Sequence, residues 1–148
     1  MAGGAERGIG ELLAAARRRI ERVEPEAAWA AASTGNAMIV DIRSDDERRD
    51  NGIVPGSLHI PRTVLEWRVD PSSPWHNPHV RGHELRLVLV CSHGFSSSLA
   101  AATLVDLGFD RAGDIVGGFE AWCRVGLPVV PAPPRRDGVP PGMGGPEP

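Results

Sequence analysis

Residues 86–101 read Arg-Leu-Val-Leu-Val-Cys-Ser-His-Gly-Phe-Ser-Ser-Ser-Leu-Ala-Ala: an apolar run meets Cys91, then a small polar loop, then the start of a helix. Residues 86–90 are short, apolar and rich in β-branched side chains, the pattern of a buried strand, while residues 96–107 carry a helical period closed by Gly108. Cys91 therefore falls at the carboxyl edge of a sheet, where open α/β folds bind ligands. Loop amides beside a helix N-terminus form a concavity for anions. The same partial positive charge favours thiolate over thiol, so Cys91 is expected to titrate below the free value of about 8.5. Gly94 permits a positive φ, and Ser92, Ser96 and Ser97 offer hydroxyls without bulk. An inert core thiol requires none of these neighbours.

Working outward, residues 10–23 place Leu12, Leu13, Ala16, Ile20 and Val23 on one face of an amphipathic helix. Pro25 opens a second helix that runs to about Ser33. A strand over 37–42 follows, and Ser44 caps a helix over 45–50 whose acidic-to-basic order suits the helix dipole. Residues 52–61 read as loop with a short strand, 63–67 as a helical turn, and the polar stretch 70–83 as an exposed excursion. A strand over 112–116 and a helix over 118–125 complete the pattern. Strands and helices in alternation predict an α/β fold, a small parallel sheet with helices on both faces. The expected organisation is an N-terminal amphipathic helix and tail over 1–21, a domain over 22–130, and a disordered Pro/Gly-rich tail over 131–148.

Four motifs in order carry a family resemblance: Ile39-Val-Asp-Ile-Arg43, Asn51-Gly-Ile-Val-Pro-Gly-Ser-Leu-His-Ile-Pro61, the Cys91 loop, and Asp114-Ile-Val-Gly-Gly-Phe-Glu-Ala-Trp122. Over residues 22–130 the chain resembles the rhodanese family of sulfurtransferases. That resemblance implies a rhodanese-like domain with Cys91 as the catalytic nucleophile and Ser92, His93, Gly94, Phe95, Ser96 and Ser97 as the substrate-binding loop. It implies sulfane sulfur carried as a Cys91 persulfide, from thiosulfate or a related donor to a nucleophilic acceptor, with no metal or organic cofactor. Two departures stand out. Many members carry an arginine five or six positions after the cysteine, where this chain has Ser96 and Ser97, so amides, hydroxyls and the helix dipole must hold the anion. An apolar residue also replaces the histidine of the family's Gly-His-Ile-Pro segment, which reads as a change in packing.

Other residues carry weaker signals. Asp41 and Arg43 read as braces for the loop after the first strand, and Arg62 and Arg68 as solvated surface arginines, with supply of positive charge to the site as the alternative. His93 is balanced between an exposed loop side chain and a group that tunes the sulfur. Residues 17–19, all arginine, read as a solvated helix face. With only two cysteines, a disulfide framework is not expected, and Cys123 reads as a packed structural thiol. Neither cysteine has partners at metal-ligand spacing.

A net charge of −3 and a pI of about 5.9 give no reason to expect nucleic-acid binding. No apolar run approaches the roughly 20 residues of a membrane span, and the N-terminus lacks the order of a secretory signal, so a cytoplasmic location is expected. The expected partners are a small anionic sulfur donor and a protein or thiol acceptor. Two rival readings are a cysteine-dependent phosphatase or arsenate reductase, for which Ser97 stands where arginine is needed, and a non-catalytic rhodanese-like module that binds a protein partner.

Overall fold

In the computed structural model, which describes residues 8–148, the chain runs α1 (Ile9–Arg17), β1 (Glu21–Val23), α2 (Pro25–Ser33), β2 (Met38–Asp41), α3 (Asp45–Asn51), β3 (Leu58–His59), a single 3₁₀ turn (Arg62–Val64), α4 (Leu65–Val69), β4 (Leu87–Val90), α5 (Ser96–Asp106), β5 (Gly113–Ile115) and α6 (Gly118–Arg124). The five strands form one parallel sheet in the order β1-β5-β4-β2-β3. β4 lies at its centre, paired with β2 from Met38↔Leu87 to Asp41↔Val90 and with β5 at Val88↔Gly113.

Alternation along β4 explains why both faces are covered. Leu87, Leu89 and Cys91 join one buried cluster with Ala100, Ala101 and Leu104 of α5, whereas Val88 and Val90 join a second with Ala28, Phe119 and Trp122 of α2 and α6. Successive strand side chains point to opposite faces, so a run of aliphatics must be roofed twice. Trp122 is fully buried, meets Trp29 edge-on at 5.7 Å between ring centroids, and donates its indole N–H to the Pro128 carbonyl at 2.9 Å. Ile53 and Val54, in the segment where the family histidine is absent, are fully buried, consistent with a packing change.

Asp41 and Arg43 brace the sheet edge as expected. The Asp41 carboxylate accepts from the Arg43 amide and Nε at 3.0 Å each and from Nη2 at 2.8 Å, and Arg48 Nε approaches it to 3.5 Å. The Arg43 guanidinium also stacks 3.9 Å from the Phe119 ring centroid and donates to the Gly52 carbonyl. Since Asp41 and Arg43 are both buried, Asp41→Ala leaves the Arg43 guanidinium without its counter-charge, while Arg48 keeps Glu147. The expected cost is about 3–5 kcal/mol, read as a lowered denaturant midpoint at unchanged m-value.

Four expectations are corrected. Residues 10–23 do not form one helix: α1 stops at Arg17 and Glu21–Val23 becomes an edge strand, because parallel pairing with β5 satisfies backbone that a longer helix would leave against the sheet. Both α1, packed on α5, and part of β1 thus belong to the fold rather than to an N-terminal appendage ending at residue 21; its first seven residues lie outside those described. The excursion over 70–83 is not wholly exposed, since Asn77 and Val80 are fully buried. The tail over 131–148 has no helix or strand but is seated: Asn77 donates to the Gly142 and Gly144 carbonyls, Arg68 to the Pro141 carbonyl, and Glu147 pairs with Arg48 at 3.0 Å. Composition alone cannot anticipate such ordering, because its hydrogen bonds run to side chains some 65 to 99 residues distant in sequence.

Candidate active site

The Cys91 side chain, 7% exposed, opens from the end of β4 onto a cavity of about 490 Å³ whose lining includes Ile42, Pro61, Arg62, Ser92, Phe95 and Ser96. The loop turns through Gly94 at φ +82°, and the Gly94 N–H donates to Cys91 Sγ at 3.1 Å. Ser97 Oγ lies 3.2 Å from the same sulfur. Burial pushes the Cys91 thiol up, but hydrogen bonds from the Ser97 hydroxyl and amide, the Ser96 hydroxyl and the Gly94 amide outweigh it and leave the pKa below the ordinary value. The expected lowered pKa is therefore present, with hydrogen bonds as its direct cause.

The Gly-Gly pair at the start of α6 lies immediately beneath this loop. Gly118 has φ +64°, and a Cβ there would stand 2.4 Å from the Cys91 carbonyl oxygen and 2.7 Å from the Gly94 nitrogen. The amides of Phe119 and Glu120 donate to the carbonyls of Cys91 and Ser92. The last motif of the chain thus holds the cysteine loop from below, through backbone contact that only glycine permits.

The predicted loop residues divide by role. Gly94, Ser96 and Ser97 converge on the sulfur. Ser92 instead donates a hydrogen bond from its hydroxyl to the Glu47 carboxylate, which also closes the capping box with Ser44 at the head of α3. The Ser92 bond, followed by those from Ser44, lowers the Glu47 pKa against an opposing effect of burial. His93 is exposed at the rim of the cavity and pairs with Glu120 at 3.0 Å, and Phe95 is an exposed ring at the cavity mouth. Of the two arginines proposed as cations, Arg62 lines the cavity and pairs with Glu66, whereas Arg68 is buried and spent on the Trp75 and Pro141 carbonyls. Cys123 is exposed, not packed as expected, because position 123 falls on the outer side of α6 opposite Trp122.

Sequence reasoning missed three groups behind the loop. Arg17 and Arg22 both donate to the Gly94 carbonyl, at 2.7 and 3.1 Å, so the reading of residues 17–19 as a mere solvated face is wrong for Arg17. Asp114 of β5 is fully buried and accepts from Arg22, Ser97 and Ser98. A carboxylate within an interior parallel strand was the available signal, since a buried charge demands partners. No group of acidic, His and Cys side chains suited to a metal occurs among the described residues.

The rhodanese-like domain family model matches residues 24–125. The chain belongs to that family. It is 33% identical to the thiosulfate sulfurtransferase GlpE of Actinobacillus succinogenes over 74% of this chain and 90% of that protein. Against GlpE of Stutzerimonas stutzeri the identity is 37%, over 69% and 84% of the two chains. A solved structure from Rhodopseudomonas palustris, described as a protein of unknown function and possible tyrosine phosphatase, superposes with a TM-score of 0.78 at 36% identity, covering 88% of this chain and 99% of that one. The chain is accordingly a rhodanese-type sulfurtransferase, built on the expected parallel α/β domain. No helix among the described residues is long and apolar enough to cross a membrane.

Proposed function

We propose that this rhodanese-like domain moves sulfane sulfur from thiosulfate, or a related small anionic donor, to a thiol or protein acceptor through a persulfide on Cys91. The observation that carries the reading is the convergence of the Gly94 amide, the Ser96 hydroxyl and the Ser97 amide and hydroxyl on a single sulfur at the floor of a cavity. In the first half-reaction the Cys91 thiolate attacks the outer sulfur of thiosulfate. A new S–S bond forms, the original S–S bond breaks, and sulfite leaves with its electron pair. In the second, the acceptor attacks the outer sulfur of the persulfide and the electron pair returns to Cys91. The donors that lower the thiol pKa also stabilise the anionic persulfide, and a covalent intermediate predicts ping-pong kinetics.

The similarity to a possible tyrosine phosphatase does not carry phosphoryl transfer over to this chain. Such loops bind a phosphoryl dianion through an arginine six positions after the cysteine, and here that position is Ser97, hydrogen-bonded to the Asp114 carboxylate at 2.7 Å. The decisive experiment is incubation with thiosulfate followed by intact-mass measurement. Gain of one sulfur atom, removed by cyanide and absent in Cys91→Ser, is the expected result; an unchanged mass overturns the thiosulfate reading.

A further inference from the structure

Behind the cysteine loop a buried carboxylate and the reactive sulfur share one hydroxyl. Ser97 Oγ donates to Asp114 Oδ2 at 2.7 Å while standing 3.2 Å from Cys91 Sγ. Ser98 Oγ donates to the same Asp114 oxygen at 2.7 Å, and Arg22 approaches the carboxylate through Nε at 3.0 Å and Nη2 at 3.3 Å. A serine hydroxyl has one hydrogen. With that hydrogen on Asp114, Ser97 offers the sulfur only a lone pair, which suits a thiol S–H; to stabilise a thiolate or persulfide anion it must turn away from Asp114.

We propose that Asp114 is a positioning residue that competes with the Cys91 sulfur for the Ser97 hydroxyl proton and thereby sets how readily the thiolate forms. The inference rests on Cys91 being the nucleophile, as the proposed function holds. Arg22 balances the carboxylate and, with Arg17, fixes the Gly94 carbonyl, so the loop backbone and the Ser97 rotor hang from the same partly buried ion pair. While the sulfur is a thiol, the hydrogen of Ser97 is held by Asp114. When negative charge reaches the sulfur, in the thiolate or the persulfide, the hydrogen swings across and Asp114 keeps the donors from Ser98 and Arg22. No proton leaves the serine; only its direction changes.

Other charged groups around the sulfur are Arg17 on α1, Arg43 after β2, Glu47 on α3, Arg62 in the 3₁₀ turn, and the pair of His93 with Glu120 on α6. A comparison in which only Asp114 and Ser97 vary cancels their contributions. The test is the pH dependence of iodoacetamide alkylation of Cys91, read by peptide mass, in wild type, Asp114→Asn, Ser97→Ala and the double variant. This readout needs no sulfur donor, so it is independent of whether thiosulfate is the substrate.

In Asp114→Asn the neutral amide holds the hydroxyl more weakly, and the alkylation midpoint is expected to fall by about one pH unit, the scale of one hydrogen bond to a charged group. In the Ser97→Ala background most of that shift is expected to vanish. Equal shifts in the two backgrounds mean that Asp114 acts by charge alone, and no shift or a rise with Ser97 present means that it does not compete; either overturns the proposal. Should Asp114→Asn fail to fold, Ser98→Ala serves instead. It leaves Asp114 one donor short, tightens its hold on Ser97 and raises the midpoint; an unchanged or lowered midpoint overturns the inference.

Discussion

Replacing Cys91 with serine abolishes sulfur transfer from thiosulfate to cyanide, followed as thiocyanate, while the fold is retained. The substitution exchanges a thiol for a hydroxyl at a position 7% exposed, beside donors already arranged around a small side chain. A serine hydroxyl does not ionise under the same conditions and cannot carry sulfane sulfur, so no other group at the site substitutes for the lost nucleophile. The loss should exceed a factor of about 10³, with only uncatalysed background remaining. Cys123→Ser, on the exposed side of α6, is the matched control and retains turnover. Full activity in Cys91→Ser would overturn the persulfide route. The pH profile of the wild-type enzyme has a worked sign: because the Cys91 pKa is lowered, the thiolate persists below the pH at which a free thiol is half ionised, and rate falls only once pH drops through the lowered value.

Gly118→Ala also lowers activity, without touching a reacting atom. At φ +64° alanine is strained, and its Cβ would overlap the Cys91 carbonyl oxygen and the Gly94 and His93 nitrogens, all under 3 Å away. Those atoms belong to the backbone of the loop and have no rotamer by which to retreat. The loop must lift, and Gly94 N–H and Ser97 Oγ leave the sulfur together. A misplacement of about 1 Å in a catalytic constellation is worth roughly a hundredfold in rate, so kcat/KM for thiosulfate should fall by about 10². The Cys91 alkylation midpoint should rise at the same time, because the lost bonds are those that lower its pKa. Retention of wild-type activity and midpoint would show that the loop does not depend on the backbone of α6.

Local pattern carried much of the reading. The strand over 86–90, the helix from Ser96 and the acidic-to-basic helix after Ser44 were legible because each rests on periodicity or capping within a few residues, and the structure has them at Leu87–Val90, Ser96–Asp106 and Asp45–Asn51. Cys91 was legible as a thiol of lowered pKa because the residues that lower it follow within a few positions. Arg22 was not, since residues 18–23 satisfy a helical period as well as a strand; pairing with β5, supplied by residues 113–115, decides between them. The burial of Asn77 and the seating of residues 141–147 escaped notice for the same reason, as their partners lie across the fold.

By itself the sequence determined the α/β class, most of the order of its elements, the four motifs and the placing of Cys91 at the end of a strand, all of which depend on short-range periodicity, turn chemistry and residue type. Tertiary structure alone decided that Arg17, Arg22 and Asp114 stand behind the loop, that Gly117 and Gly118 support it, and that the Ser97 hydroxyl lies between a sulfur and a buried carboxylate. These groups come from the first helix, the first and last strands and the last helix. Side chains so far apart in sequence meet only when the parallel sheet aligns their strands and glycine lets one backbone approach another.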